Sequence, residues 1–233
     1  MNGNIFMVPV TLGNPDHIVT IPAGTREITL SLRLFAVEDI RSARRYLKSL
    51  SRDFPVDDTF FFEVGKHADT SILSGFFSRV AAGADAGVMS EAGMPGLADP
   101  GNIVVAEAHR RNLRVIPLTG PSSIMLALVA SGLNGQSFAF HGYLPIDSQG
   151  RQKAIRDLER RSSSGEAQVF MEAPFRNDRM TDDILASCKP STKLCIAADI
   201  TLPTESIMTK TISSWRMETP VLGKRPVIFI LQA

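Results

Sequence analysis

The chain has 233 residues, 44% of them hydrophobic and 21% charged, with a formal net charge of +1. That composition fits a globular protein of one large or two modest domains and excludes a disordered, collagen-like or strongly basic chain. Two cysteines, Cys188 and Cys195, and four scattered histidines, His17, His67, His109 and His141, make neither a disulfide framework nor a metal-ligand spacing. The expectation is therefore no metal and a reducing cytoplasm, with no signal peptide and no membrane span.

In chain order, apolar runs of strand length at 5–10, 34–38, 59–64, 86–89 and 113–118 alternate with segments of helical period at 25–33, 42–50, 69–82 and 102–111. That alternation is the mark of βαβ units and a largely parallel sheet. "LTGPSS" (118–123) interrupts, and the pattern restarts with a helix at 122–130, a strand at 138–141, a helix at 152–161, a strand at 168–172, a helix at 178–188 and a strand at 193–199. A final pair, 206–212 with 226–232, gives consecutive strands and hence antiparallel members in a mixed second sheet. The expected organisation is two α/β domains, 1–119 and 120–233, joined near Gly120.

In open α/β folds ligands sit where loops leave the carboxyl ends of strands. Here those loops hold the unusual chemistry. "MSEAGMPGLADPG" (89–101) mixes three glycines, two prolines and two carboxylates without alternation or helical spacing, which specifies a shaped, rigid turn. No phosphate cradle of the G-x-x-x-x-G-K-[ST] or G-x-G-x-x-G kind is present, and no G-x-S-x-G elbow. Rigid loops with exposed backbone suit a ligand recognised through main-chain amides and carbonyls.

Six stretches carry a resemblance: "VPVTLGN" (8–14), "VEDIR" (37–41), "SEAGMPGLADPG" (90–101), "LTGPSSIMLALVASGL" (118–133), "FAFHGYLP" (138–145) and "FMEAPFR" (170–176). In order and spacing they resemble the motifs of the tetrapyrrole methylase superfamily, most closely its branch of small-subunit rRNA ribose 2′-O-methyltransferases, over nearly the whole chain. The resemblance implies two α/β domains binding S-adenosylmethionine in a cleft between them. That cofactor has no phosphate, in keeping with the missing glycine fingerprints. By position, Pro9, Leu12 and Gly13 would line the N-terminal side. Ala92, Gly93 and Met94 would meet the cofactor through backbone, with Ser122 or Ser123 near its adenosyl or methionyl part. Met171, Ala198 and Pro226 occupy positions where the family contacts adenine.

The chain departs from that pattern at several polar positions. The family's "SDAG" aspartate is Glu91 and the threonine after it Met94; the "ESPHR" histidine is Phe175; Ala198 and Asp199 replace an arginine and an acid, and Pro226 stands where an acid is expected. Methyltransferase activity is thus implied more strongly than any single acceptor. The favoured acceptor is a ribose 2′-hydroxyl of small-subunit rRNA. The alternatives are a tetrapyrrole or other small molecule, and a non-catalytic cofactor- or RNA-binding relative.

Methyl transfer from a sulfonium needs in-line positioning and, for a hydroxyl acceptor, removal of one proton. Candidate bases or positioning groups are Glu38, Asp39, Glu91, Asp99 and Glu172, any of which can instead cap a helix or anchor a loop. Arg41 and Arg176 follow acids in two motifs and can hold substrate phosphate or pair with Glu38 and Glu172. Two basic runs, 41–52 with Arg41, Arg44, Arg45, Lys48 and Arg52, and 151–161 with five further bases, read either as solvated helix faces or as an RNA-binding surface. The superfamily resemblance also implies a homodimer.

Overall fold

Short apolar runs bounded by turn residues cannot bury both of their faces alone, and in the first half of the chain five of them join into one parallel sheet. The structure, a computed structural model, describes residues 2–65 and 70–233; His67 and the expected helix start at Asp69 lie outside the described residues. The chain divides into two units, ending at Ser122 and beginning at Ser123.

In the first unit β1 (Ile5–Met7) lies between β4 (Ala86–Met89) and β5 (Val115–Pro117), and β2 (Leu34–Val37) lies between β4 and β3 (Phe60–Glu63). The order is β3-β2-β4-β1-β5. Helices α1 (Ala23–Ser31) and α2 (Ile40–Leu50) cover the face holding Phe35, Val37 and Met89. Helices α3 (Thr70–Ala81) and α4 (Gly101–Arg110) cover the other, with Phe76, Phe77 and Val104 over Ile5 and Ala36. Alternate residues of β2 thus serve opposite cores, as a strand's period of two requires. The α2 sequence forms a helix because Ala43, Tyr46, Leu47 and Leu50 fall on one stripe and the Asp39 carboxylate accepts from the Ser42 amide at 2.6 Å. Connections run one way from β1 to β3 and the opposite way from β3 to β5, so the chain changes direction between β1 and β4. Loops leaving those two strands diverge to opposite faces and leave a crevice.

The second unit opens with α5 (Ser123–Ser131) and builds a mixed sheet from β6 (Phe138–Tyr143), β7 (Ala167–Met171), β8 (Lys193–Ala198), β9 (Ser206–Thr211) and β10 (Val227–Gln232). Its order is β6-β7-β10-β8-β9, with β6 and β7 parallel and every other pairing antiparallel. Helices α6 (Ser148–Ser162), α7 (Asn177–Ser187) and α8 (Ile212–Met217) share a core with Phe170 and Phe229, whose rings stack at 5.6 Å.

Two expectations are corrected here. The second sheet is mixed with antiparallel members, as expected, but its last two strands do not pair with each other: α8 separates them, β9 pairs with β8, and β10 inserts between β7 and β8. Helix α8 is too short to show a period, yet Thr211 caps it and buried Trp215 donates to the Leu194 carbonyl at 2.9 Å. Helix α6 starts at Ser148, not 152, because Asp147 accepts from the Gly150 amide at 2.7 Å and turns a Ser-Gln-Gly sequence into a first helical turn. No described helix is long and apolar enough to cross a membrane.

Candidate functional site

The loops after β1, β2, β4 and β5 leave the carboxyl edge of the first sheet, and each is tied to a neighbour. After β1, the Val10 and Gly93 main chains exchange hydrogen bonds of 2.9 and 3.0 Å, which clamps "VPVTLGN" to "SEAGMPG". The Pro9 carbonyl accepts from the buried Tyr46 hydroxyl at 2.9 Å, and burial pushes that phenol's pKa up. A Cβ at Gly120 would overlap the Pro9 ring, so the β5 loop approaches as closely as backbone allows. Thr25 Oγ1 donates to the Thr119 carbonyl at 2.8 Å and holds that loop to α1. After β2, the Glu91 amide donates to Glu38 Oε2 at 3.2 Å, and Ser42 Oγ donates to Glu91 Oε1 at 3.3 Å.

The expected cofactor residues of this unit lie along this edge. Pro9 is buried, Leu12 half-buried, and Gly13 exposed with a positive φ of 100°. Gly93 has φ +71°, and a Cβ there would come within 3.2 Å of Leu12 Cδ2 and 3.5 Å of the Pro121 carbonyl. Ala92 is exposed, Met94 half-buried, and Ser122 buried where the unit ends. Ser123 is the first residue of α5.

The carboxylates divide by environment. Asp39 caps α2, and the Ser42 amide holds its pKa below the usual value. Asp99 accepts from the Gly96 and Gly101 amides at 2.9 and 2.7 Å, folding the glycine- and proline-rich loop onto the start of α4. Glu172 lies in the second unit with its side chain fully buried, accepting from Arg176 Nη2 at 2.6 Å and the Ala173 amide at 2.7 Å. Glu91 is the exposed one. It lines an open groove with Asp39, Ile40, Arg41, Arg44 and Glu63.

At the second sheet's edge β10 runs antiparallel to its neighbours, which brings the three expected adenine contacts together. Ile228 pairs with Met171, Val227 with Ala198, and the Asp199 amide donates to the Pro226 carbonyl at 3.0 Å. Sequence reasoning missed Arg225, whose Nε donates to Asp199 Oδ2 at 2.6 Å and whose Nη2 donates to the Thr204 carbonyl at 2.6 Å. That clamp holds Asp199 at a positive φ of 53°. The acid standing next to Ala198, where the family differs, was the signal available for it.

The two basic runs part company. In the first, Arg41 and Arg45 lie exposed beside Asp39, while Arg44 pairs with Asp57 at 2.6 Å on the surface. In the second, Arg151 drops out of the expected row of five cations, while Lys153, Arg156 and Arg161 stay exposed. Arg151 is buried, its Nε donating to Asp183 Oδ2 at 2.6 Å and its Nη1 to the Ile146 carbonyl at 2.6 Å, and Arg160 is paired with Asp157. A charge count cannot reveal this, because the partner acid lies 32 residues away.

The model of one family, the tetrapyrrole (corrin/porphyrin) methylases, matches residues 5–215. Among similar proteins, the ribosomal RNA small subunit methyltransferase I of Vibrio cholerae is 27% identical over 203 residues, 87% of this chain and 67% of that protein. The protein of the same name from Streptococcus pyogenes serotype M6 is 29% identical, over 96% of this chain and 75% of its own, and that from Haemophilus influenzae 26% identical, over 100% and 79%. Among solved structures, the methyltransferase CobJ superposes with a TM-score of 0.63 at 15% identity, over 99% of this chain and 94% of its own. Uroporphyrin-III C-methyl transferase from Thermus thermophilus, complexed with S-adenyl homocysteine, gives 0.59 at 15%, over 99% and 97%. At such identities these two structures establish a shared fold.

Proposed function

Since the chain belongs to the tetrapyrrole methylase family, we propose that it is an S-adenosylmethionine-dependent methyltransferase whose acceptor is a ribose 2′-hydroxyl of small-subunit rRNA. The observation that carries the reading is the set of four mutually tied loops around the β1/β4 crevice. The names of relatives matched across 87–100% of the chain support the acceptor. The residues present fit the cofactor: Gly93, its own amide and carbonyl bonded to Val10, leaves no side chain between Leu12 and Pro121, so the loop presents the main chain of Ala92 and Met94 beside it. A neutral nucleoside bearing an amino acid needs such amides and carbonyls and no phosphate-binding helix start.

The cofactor, when bound, supplies a methyl group already electrophilic on sulfur. The protein's task is then to fix the acceptor in line and accept its proton. Asp39 and Asp99 are committed to backbone amides and Glu172 to Arg176, which makes them positioning groups. Glu91, exposed at the groove and oriented by Ser42, takes the hydroxyl proton or orients the hydroxyl.

The reading includes a homodimer. Helix α5 exposes Met125, Leu126 and Val129, the last 79% exposed, and a helix apolar on every side is ordinarily covered. Light scattering should give twice the chain mass, reduced to a monomer by Val129→Glu. A wild-type monomer at all concentrations removes the dimer from the reading.

The activity test uses labelled S-adenosylmethionine with small-subunit RNA, small-subunit particles, deproteinised lysate and tetrapyrroles in separate reactions. Label is expected in RNA, at a linkage resistant to alkaline hydrolysis because a methylated 2′-oxygen cannot attack the phosphate. Label confined to the tetrapyrrole or small-molecule fraction would overturn the rRNA assignment.

A further inference from the structure

At the carboxyl edge of the second sheet, two aromatic rings face solvent at the ends of neighbouring strands. Phe175 is 69% exposed and Tyr143 is 56% exposed. Tyr143 ends β6 opposite Met171 of the parallel strand β7, and Phe175 lies in the 3₁₀ turn Pro174–Arg176, four residues beyond Met171. That turn is pinned. Pro174 fixes its entry, and buried Glu172 accepts from the Ala173 amide and the Arg176 guanidinium. The guanidinium lies over one face of the Phe175 ring, 4.9 Å from its centroid. Arg176 is therefore a backing plate for the Phe175 ring, tied to Glu172 and not held out for phosphate.

We propose that Phe175, backed by the pinned guanidinium of Arg176, and Tyr143 at the end of the neighbouring strand form a platform on which an unpaired base of the RNA acceptor stacks. This rests on the reading of the acceptor as RNA. Unpaired bases are recognised by stacking on aromatic rings and arginine planes, which tolerates any base because every base has a π-face. A ring with one face covered by a cation and the other open has already lost the freedom that stacking would remove. Arg179, exposed one turn further along α7, adds a cation for the adjoining backbone phosphate. Phe175 stands where the family's "ESPHR" motif holds histidine, so the position carries an aromatic ring without a titratable group.

Phe175→Ala and Tyr143→Ala should each raise KM for small-subunit RNA about tenfold, at unchanged kcat and unchanged affinity for S-adenosylhomocysteine. Phe175→Trp should restore KM, and its emission should be quenched by a short single-stranded oligoribonucleotide. The chain's own Trp215 is buried and should not respond. If the wild type methylates RNA while both alanine variants keep its KM and Phe175→Trp is not quenched, the platform is wrong and the RNA reading stands. If the wild type methylates only a small molecule and Phe175→Trp is not quenched, both fall.

Discussion

Gly93 makes two demands at once: a left-handed φ of +71° and a main chain bonded on both sides to Val10. An L side chain in that conformation costs about 1–2 kcal/mol, and its Cβ would press on Leu12. Gly93→Ala should lower stability by about that amount and weaken S-adenosylhomocysteine binding beyond what the stability loss explains, measured by calorimetry well below the melting temperature. Unchanged affinity in a destabilised variant would separate the glycine from the cofactor. The thiols give a second residue-scale expectation. Burial pushes Cys188 up to about 12 and raises Cys195, so thiolate, the reactive form, is scarce at pH 8. Native protein should resist a thiol-specific reagent and release two equivalents on denaturation; rapid labelling of the native state would contradict the burial.

Helix α6 gives the element-scale case. Its Arg151 reaches Asp183 on α7 and the Ile146 carbonyl in the loop after β6, so one buried cation locks two helices and the loop beyond Tyr143. Removing it strands a buried carboxylate, and Arg151→Ala should cost about 3–5 kcal/mol by denaturant unfolding, whereas Arg156→Ala on the exposed side should change little. Equal costs would refute the core assignment. The same helix marks the limit of legibility. Its body was legible because Ile155 and Leu158 keep helical spacing, but its first turn depends on the Asp147 cap and its charge depends on Asp183, both set by geometry. Strands and loops of the first unit were legible for the opposite reason: parallel buried strands are continuous apolar runs, and Gly-Pro loops declare themselves. The insertion of β10 between β7 and β8 was not, because no local pattern records which strand a chain end will join.

At the scale of the molecule, a net charge of +1 must still engage a polyanion if the acceptor is RNA. The candidate cations shrink once the structure is taken into account. Arg151 is internal, Arg160 is paired with Asp157, and Arg44 is paired with Asp57, while Arg41 and Arg45 remain exposed at the start of α2, with Arg41 lining the Glu91 groove. Each phosphate contact to a single strand steepens the dependence of log affinity on log salt by about 0.7. Reversing Arg41 and Arg45 to Glu should therefore flatten that slope by about 1.4 and weaken RNA binding most at low salt, with cofactor affinity unchanged. Reversing Arg160, which lies on the other unit and is already paired with an acid, should leave the slope near its wild-type value. Both variants change exposed residues, so stability is not at issue and the comparison isolates position from total charge. An equal effect per charge at the two sites would mean that RNA responds only to the protein's net field, and the α2 groove would lose its claim to the acceptor strand.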